Sequence, residues 1–194
     1  ELAREGAPIE LTIVGGGDEG LELQALAARL TQECSGRLSI EMLGPRPVEA
    51  VEELLARGCF HTAALACRVA ANGDRDGVPV ALLEAAAYGV PVVTTALPGF
   101  AHELVDGEGS VLVQTERRGE CIEPQRAPLV RALAEFYRDP SYCIEMGLAA
   151  RRGAEKRVSP AEIGQQLMEM LLPLCSRIRA PENGRNTWEA ASDR

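Results

Sequence analysis

The stretch ELTIVGGGDEGLELQALAARLTQE, residues 10–33, decides the fold expected for this chain. Its first residues are mostly apolar or β-branched, which favours a strand over residues 10–15. After the glycine turn, leucines recur at helical spacing and predict an amphipathic helix over about residues 18–33. The stretch therefore predicts a strand, a loop and a helix in succession.

The same alternation recurs along the chain. Further strands are predicted at residues 38–43, 62–67, 91–95 and 110–114, and helices at 48–56, 79–88 and about 101–105. Three more helices follow at about 127–137, 140–156 and 160–172. Strands that alternate with helices and are apolar on both faces indicate the α/β class. We predict a doubly wound, Rossmann-like parallel sheet with C-terminal helices, in a domain of residues 1–173 with a tail at 174–194.

Composition limits the function. The 29 acidic and 20 basic residues give a net charge of -9, which argues against a nucleic-acid partner. No run of 18 uncharged apolar residues is present, so a membrane-spanning segment is not expected. Six cysteines without a CxxC pair are interpreted as reduced thiols packed in a core. We expect a cytoplasmic protein, with peripheral contact at the inner face of the membrane as an alternative.

One carboxylate lies in an otherwise apolar segment. Glu84 is the single charged residue between Val78 and Val90 in the stretch GDRDGVPVALLEAAAYG, residues 73–89. Its helical neighbours are apolar or aromatic, which leaves the carboxylate without a local ion partner: Val80, Ala81, Ala87 and Tyr88. A buried, unpaired carboxylate is costly, and the hydroxyl groups of a ligand are one source of donors for it.

A second carboxylate, Asp76, lies in the loop that leads into the same helix. Gly77 allows close approach of a ligand to the backbone, and a helix start at Pro79 attracts an anion. Two acceptors beside such a helix start suit a molecule with hydroxyls at both ends and phosphate between them, such as a nucleotide sugar. A solvent-exposed Glu84 with Asp76 capping a turn explains the composition equally well.

Three motifs follow one another in this region: DGVPVALLEA at residues 76–85, GVPVV at 89–93 and GFAHELV at 99–105. Together they resemble the C-terminal, donor-binding lobe of retaining GT-B glycosyltransferases of the family 4 type. The likeness extends over about residues 10–159. It implies a hexosyltransferase that uses a nucleotide-sugar donor in polysaccharide or glycolipid synthesis, with no metal and no other cofactor.

The resemblance also implies roles for individual residues. Glu84 would bind the ribose hydroxyls, and the transferred sugar would be held by Asp76, Gly77 and Val78. The residues expected near the diphosphate are Val80, Gly99 and Phe100. Those expected near the nucleobase are Leu43, Gly44 and Arg46. No residue of this chain is assigned a catalytic role.

The chain departs from the family pattern in three places. Asp76 replaces the more common glutamate, and Cys67-Arg68 replaces a Pro-Ser pair. Relatives carry an arginine and a lysine that clamp the diphosphate upstream of the segment matching residues 10–15. We therefore expect that clamp, the first βα unit and the acceptor-binding N-terminal lobe to lie outside this chain. The chain alone is then expected to be inactive, with a glycan or lipid-linked acceptor bound by the other lobe.

Two other functions remain open. Residues 15–20, GGGDEG, satisfy the G-x-G-x-x-G pattern of NAD-type oxidoreductases, although Asp18, Glu19 and Glu22 would repel a pyrophosphate at the following helix start. The second alternative is a degenerate lobe that binds no sugar and serves as an interaction module.

Overall fold

A computed structural model describes residues 1–77, 79–97, 104–157 and 159–175 of the chain. Strands and helices alternate in its first half. The first elements are β1 (Ile9–Val14), α1 (Gly20–Glu33), β2 (Leu38–Gly44), α2 (Val48–Ala56), β3 (Ala63–Leu65), α3 (Val80–Ala87) and β4 (Val92–Thr95). The remaining ones are β5 (Ser110–Val113), β6 (Thr115–Arg118), β7 (Cys121–Pro124), α4 (Arg126–Arg138), α5 (Pro140–Arg157) and α6 (Pro160–Cys175).

Five strands pair in parallel. β1 pairs with β2, with Ile9 opposite Leu38. β3, β4 and β5 lie side by side in that order, with Val93 opposite both Ala64 and Val111. The predicted α/β class and parallel strands are confirmed. Within the described residues the strands form two parallel sheets, because no strand there joins β1 to β3.

Residues 115–124 form a hairpin to which the sequence analysis assigned no element. β6 and β7 pair antiparallel, with Arg117 opposite Ile122. The two-residue turn between them contains Gly119, whose φ of 62° is a conformation that glycine adopts readily. The local signal was the glycine between two short segments that each contain a β-branched residue.

The largest hydrophobic cluster joins the three-stranded sheet to α4 and α5. Its buried members are Val93, Val113, Ala132, Phe136 and Met146. Phe136 is fully buried, and its ring stacks on Tyr142 with centroids 5.2 Å apart. This packing fixes β4 and β5, so the hydrophobic core positions the carboxyl edge of their sheet.

The observed helices agree with the prediction to within a few residues at their ends. α2 has the predicted bounds, and Pro140 and Pro160 begin α5 and α6 as expected. Pro79 is the N-cap of α3 instead of its first residue, with ψ of 102°. The predicted helix at 101–105 lies largely outside the described residues.

The chain divides into two units, residues 1–157 and 158–194, and α6 is the described part of the second. The tail predicted at 174–194 stays a prediction, since residues 176–194 lie outside the described part. Among the described residues, no helix has the length and apolar character needed to cross a bilayer. The cysteines are only partly core residues: Cys34 and Cys67 are buried, and Cys59 is exposed.

Candidate functional site

Glu84 is a partly buried residue, and its carboxylate has no ion partner among the described residues. It lies in α3, whose buried residues Leu82, Ala85 and Ala86 face the interior. Helical spacing directs Glu84 to the other side of α3. There it makes no hydrogen bond or ion pair with the described residues, so its oxygens are free to accept hydrogen bonds from a ligand.

The helix face around Glu84 is apolar and open. Val80, one turn before Glu84, is 63% exposed, and Tyr88, one turn after it, is 40% exposed. Ala87 on the same face is also exposed. The predicted apolar surroundings of Glu84 are therefore present, and they form a surface that a ligand can cover.

Asp76 lies at the carboxyl edge of the three-stranded sheet. Asp76 is exposed, and its carboxylate is close enough to the Cys67 thiol to influence it electrostatically. Burial is the main cause that raises the pKa of the Cys67 thiol; a hydrogen bond from Thr94 opposes this, and Asp76 raises the pKa further. Cys67 follows β3, and the Thr94 hydroxyl in β4 donates to the Leu65 carbonyl at 2.8 Å. Ligands of open α/β sheets bind at this edge.

The residues predicted near the nucleobase lie at the carboxyl edge of the other sheet. Leu43 and Gly44 end β2, and the Gly15 N–H donates to the Gly44 carbonyl at 3.0 Å. A Cβ at Gly16 would lie 2.9 Å from Pro45 Cγ, so the turn after β1 packs tightly on the turn after β2. Arg46 in the second turn is exposed. The structure thus brings the two glycine-containing turns together.

Three of the predicted site residues lie in parts of the chain that the structure does not describe. Val78, Gly99 and Phe100 lie outside the described residues. Gly77 is exposed and lies in the loop just before α3. Neither Asp76 nor Glu84 lines either of the two clefts that open beside Arg126. A nucleotide-sugar site formed by Asp76 and Glu84 together stays a prediction.

Sequence reasoning missed one buried polar group and one cluster of cations. The Thr95 hydroxyl, at the last residue of β4, is fully buried and has no hydrogen-bond partner in the described part of the chain. A buried hydroxyl without a partner is costly, and no sequence pattern distinguishes it from the paired Thr94. Hairpin β6–β7 brings Arg118 to the same cleft as Arg68. A hairpin prediction at Gly119 would have paired Arg118 with Cys121, but the approach to Arg68 depends on the tertiary pairing of Val69 with Ile122.

The glycine-rich turn after β1 does not favour a dinucleotide. α1 begins at Gly20 with Glu19 as its N-cap, and Glu22 lies in the first turn. Asp18 and Glu19 are exposed at that helix start, where they would repel a pyrophosphate.

The α/β fold, with candidate ligand groups at the carboxyl edges of parallel strands, is of the Rossmann-like type found in GT-B glycosyltransferases. The family model described as "Glycosyl transferases group 1" matches residues 1–126. The chain belongs to this family.

Curated relatives are glycosyltransferases. The amylovoran biosynthesis glycosyltransferase AmsK of Erwinia amylovora is 29% identical over 171 residues, covering 88% of this chain and 38% of the relative. The putative colanic acid biosynthesis glycosyltransferase WcaL of Escherichia coli is 33% identical over 176 residues, covering 90% and 40%. The chain therefore spans about two fifths of the length of these relatives.

Solved structures share the fold. Anabaena Alr3699/HepE in complex with UDP superposes with a TM-score of 0.64 at 18% identity, over 88% of this chain and 43% of that one. The pneumococcal O-GlcNAc transferase GtfA, in complex with UDP and GlcNAc, gives a TM-score of 0.64 at 17% identity, over 90% and 31%. At these identities the likeness concerns the fold alone.

Proposed function

We propose that this chain forms the donor-binding lobe of a retaining glycosyltransferase that uses a nucleotide sugar in polysaccharide or glycolipid synthesis. Glu84 carries the proposal, because it is partly buried and its carboxylate has no partner among the described residues. Family membership supports the reaction class, as do the names of the curated relatives, an amylovoran biosynthesis glycosyltransferase and a putative colanic acid biosynthesis glycosyltransferase.

In this proposal Glu84 accepts hydrogen bonds from the two ribose hydroxyls. The open apolar surface of Val80 and Tyr88 supports this role, because a bound nucleotide would cover it and desolvate the carboxylate. Hydrogen bonds to a charged acceptor contribute about 1.5 to 3 kcal/mol each. Glu84 thereby fixes the nucleoside end of the donor.

Asp76, with the backbone of Gly77 and Val78, holds hydroxyls of the transferred sugar. The influence of Asp76 on Cys67 supports a position at the carboxyl edge of the β3–β4 sheet. The diphosphate would lie between the sugar and the ribose, near Gly99, Phe100 and the amino end of α3 at Val80. In the described part of the chain no side chain caps that end of α3, so its first N–H groups are available to an anion.

Turnover needs more than this lobe. Cleavage of the glycosidic bond leaves negative charge on the diphosphate, and preorganised positive charge must stabilise it. We propose that the remainder of the protein supplies that charge and binds the glycan or lipid-linked acceptor. The reaction is proposed to need no metal ion and to take place in the cytoplasm, with peripheral membrane contact where the acceptor is a lipid.

Nucleotide binding to the full-length protein tests the proposal. Calorimetry with UDP, GDP and ADP is expected to show one preferred nucleotide, with affinity lowered roughly 10- to 100-fold by Glu84→Gln, the loss expected for one charged hydrogen bond. Glu53→Gln removes an exposed helical carboxylate from α2 and is expected to leave the affinity unchanged. Binding of none of the nucleotides would favour an interaction module, and binding of NAD alone would favour an oxidoreductase.

The same preparation tests Asp76. Asp76→Asn is expected to lower kcat with a smaller effect on binding of the free nucleotide, and Asp74→Asn is the matched loop control. Full activity of the wild-type protein in excess EDTA is expected. Equal sugar-donor kinetics in wild type and Asp76→Asn would remove Asp76 from the site.

A further inference from the structure

Three arginines surround one open cleft of about 270 Å³. Arg68 follows β3, Arg118 ends β6 and Arg126 begins α4. The rest of the lining comprises Ala66, Glu123, Pro124 and Leu129. Three arginines and one glutamate therefore contribute to the lining of this cleft, in a protein whose net charge is -9.

Backbone pairing fixes the two sides of this cleft. The N–H of Val69, next to Arg68, donates to the Ile122 carbonyl at 2.9 Å, and the N–H of Ile122 donates back at 3.0 Å. Val69 and Ile122 also pack against the buried side chains of Cys67 and Leu97. The hairpin that carries Arg118 is thus attached to the segment that carries Arg68.

The ion pairs that the three arginines already make are weak enough to leave their positive charge available to a ligand. Arg118 contacts Glu116 at 2.7 Å and Glu123 at 4.0 Å, and Arg126 contacts Glu1 at 3.4 Å. All three pairs are exposed, and exposed ion pairs contribute little free energy. Arg68 forms no ion pair with the described carboxylates. A multiply charged anion can therefore compete for all three guanidinium groups.

The amino end of α4 adds to the positive electrostatic potential of the arginines. The Gln125 side chain, at the N-cap, donates to the Thr115 carbonyl at 3.2 Å and does not cap the helix. No described side chain therefore caps this 13-residue helix, and because Pro128 has no N–H, its uncapped donors are the N–H groups of Arg126 and Ala127. These N–H groups therefore lie at Arg126, the third arginine of the cleft, and at the residue after it.

We propose that the cleft formed by Arg68, Arg118 and Arg126 binds a phosphate group. Guanidinium groups match phosphate oxygens in bidentate geometry, and the amino end of α4 provides further donors. The phosphate belongs either to a soluble phosphorylated compound or to a lipid headgroup. None of the lining residues is among those proposed to bind the donor, and Arg68 follows Cys67, the thiol that Asp76 influences, so the two proposed sites are neighbours.

Titration with inorganic pyrophosphate tests the site directly. Calorimetry on the full-length protein is expected to show binding that Arg68→Ala and Arg118→Ala each weaken roughly tenfold, as loss of a charged hydrogen bond predicts. Arg117→Ala removes the same charge from the same strand but lies outside the cleft, and it is expected to leave the affinity unchanged. Arg68→Lys, which retains the charge, is expected to recover part of the loss.

Vesicle sedimentation distinguishes the two sources of phosphate. Capture by phosphatidylglycerol vesicles, absent with phosphatidylcholine and lost in Arg68→Ala, would assign the site to a lipid headgroup. Pyrophosphate binding without such capture would assign it to a soluble compound. The proposal is overturned if neither ligand binds, or if Arg117→Ala weakens binding as much as Arg68→Ala. The pyrophosphate titration is repeated with the preferred nucleoside diphosphate at saturating concentration, so that binding at the arginine cleft is distinguished from binding at the donor site.

Discussion

Cys67 and Asp76 show how two residues nine positions apart become coupled at the edge of a sheet. Cys67 is 3% exposed, and burial raises the pKa of its thiol. Asp76 raises that pKa further, since a carboxylate nearby disfavours a thiolate. The thiol is therefore expected to stay protonated at neutral pH and to react slowly.

Asp76→Asn is expected to lower the pKa of Cys67, because it removes the neighbouring negative charge. At a fixed mildly alkaline pH the thiolate fraction rises, so alkylation of Cys67 becomes faster. Peptide mass spectrometry in a Cys59→Ala background measures this rate without interference from the exposed thiol. Asp74→Asn is the control, and an equal rate in wild type and Asp76→Asn would show that the two side chains do not interact.

The predictability of single residues followed their local chemistry. The isolation of Glu84 among apolar neighbours could be read from helical spacing, and the structure confirms these neighbours. The coupling of Asp76 to Cys67 could not, because it depends on how the loop of residues 68–77 returns to the end of β3. The unpaired Thr95 hydroxyl likewise depends on burial by distant elements.

At the scale of elements, glycines allow α3 and α5 to approach closely. A Cβ placed at Gly147 of α5 would collide with the carbonyl oxygen of Gly89, just after α3. Gly109, just before β5, approaches α5 in the same way, because a Cβ there would collide with the backbone of Ala150 in that helix. Both collisions involve backbone atoms, which cannot move aside as a flexible side chain can.

Gly147→Ala is expected to destabilise the protein by about 1 to 3 kcal/mol, the usual cost of overpacking, despite the better helix propensity of alanine. Gly164→Ala in α6 is the matched control, since nothing lies within 4 Å of its added Cβ. It is expected to be neutral or stabilising. Urea unfolding followed by circular dichroism measures both variants. A Gly147→Ala variant as stable as wild type would contradict the close packing of α5.

Elements with strong local periodicity were predicted well, and the hairpin was not. α1, α2, α4 and α5 have apolar spacing or a proline start that specifies them locally. β6 and β7 have only four residues each and carry charged side chains, so their own sequence favours pairing weakly. The backbone pairing of Ile122 in β7 with Val69 stabilises the hairpin further. Contacts of that kind leave little trace in local periodicity.

At the scale of the whole molecule, the buried side chains are distributed unevenly. Between residues 1 and 60, only Ala3 and Cys34 are buried among the described hydrophobic residues. α1 and α2 contain no buried residue, and Leu21 is 82% exposed. The βαβα segment at the start of the chain therefore gains little from apolar burial, whereas β4, β5, α4 and α5 share the main core.

Hydrogen exchange is expected to reflect this difference in a protein consisting of residues 1–194. Amides of β1, α1, β2 and α2 should exchange through local opening faster than those of β4, β5 and α5, because fewer buried contacts oppose the opening. Mass spectrometry of peptides at neutral pH measures the two sets. Equal protection of α1 and α5 would show that the first segment is stabilised by contacts outside its apolar burial.

The sequence by itself determined the α/β class, the order of the parallel strands and helices, and the family motif around Glu84, because hydrophobic period, caps and turn residues act over a few positions. Only the tertiary structure decided that the described parallel strands form two sheets beside an antiparallel hairpin, that Asp76 lies beside Cys67 and that three arginines line one cleft. These features join residues far apart in the chain, and their positions follow from which surfaces are buried against one another.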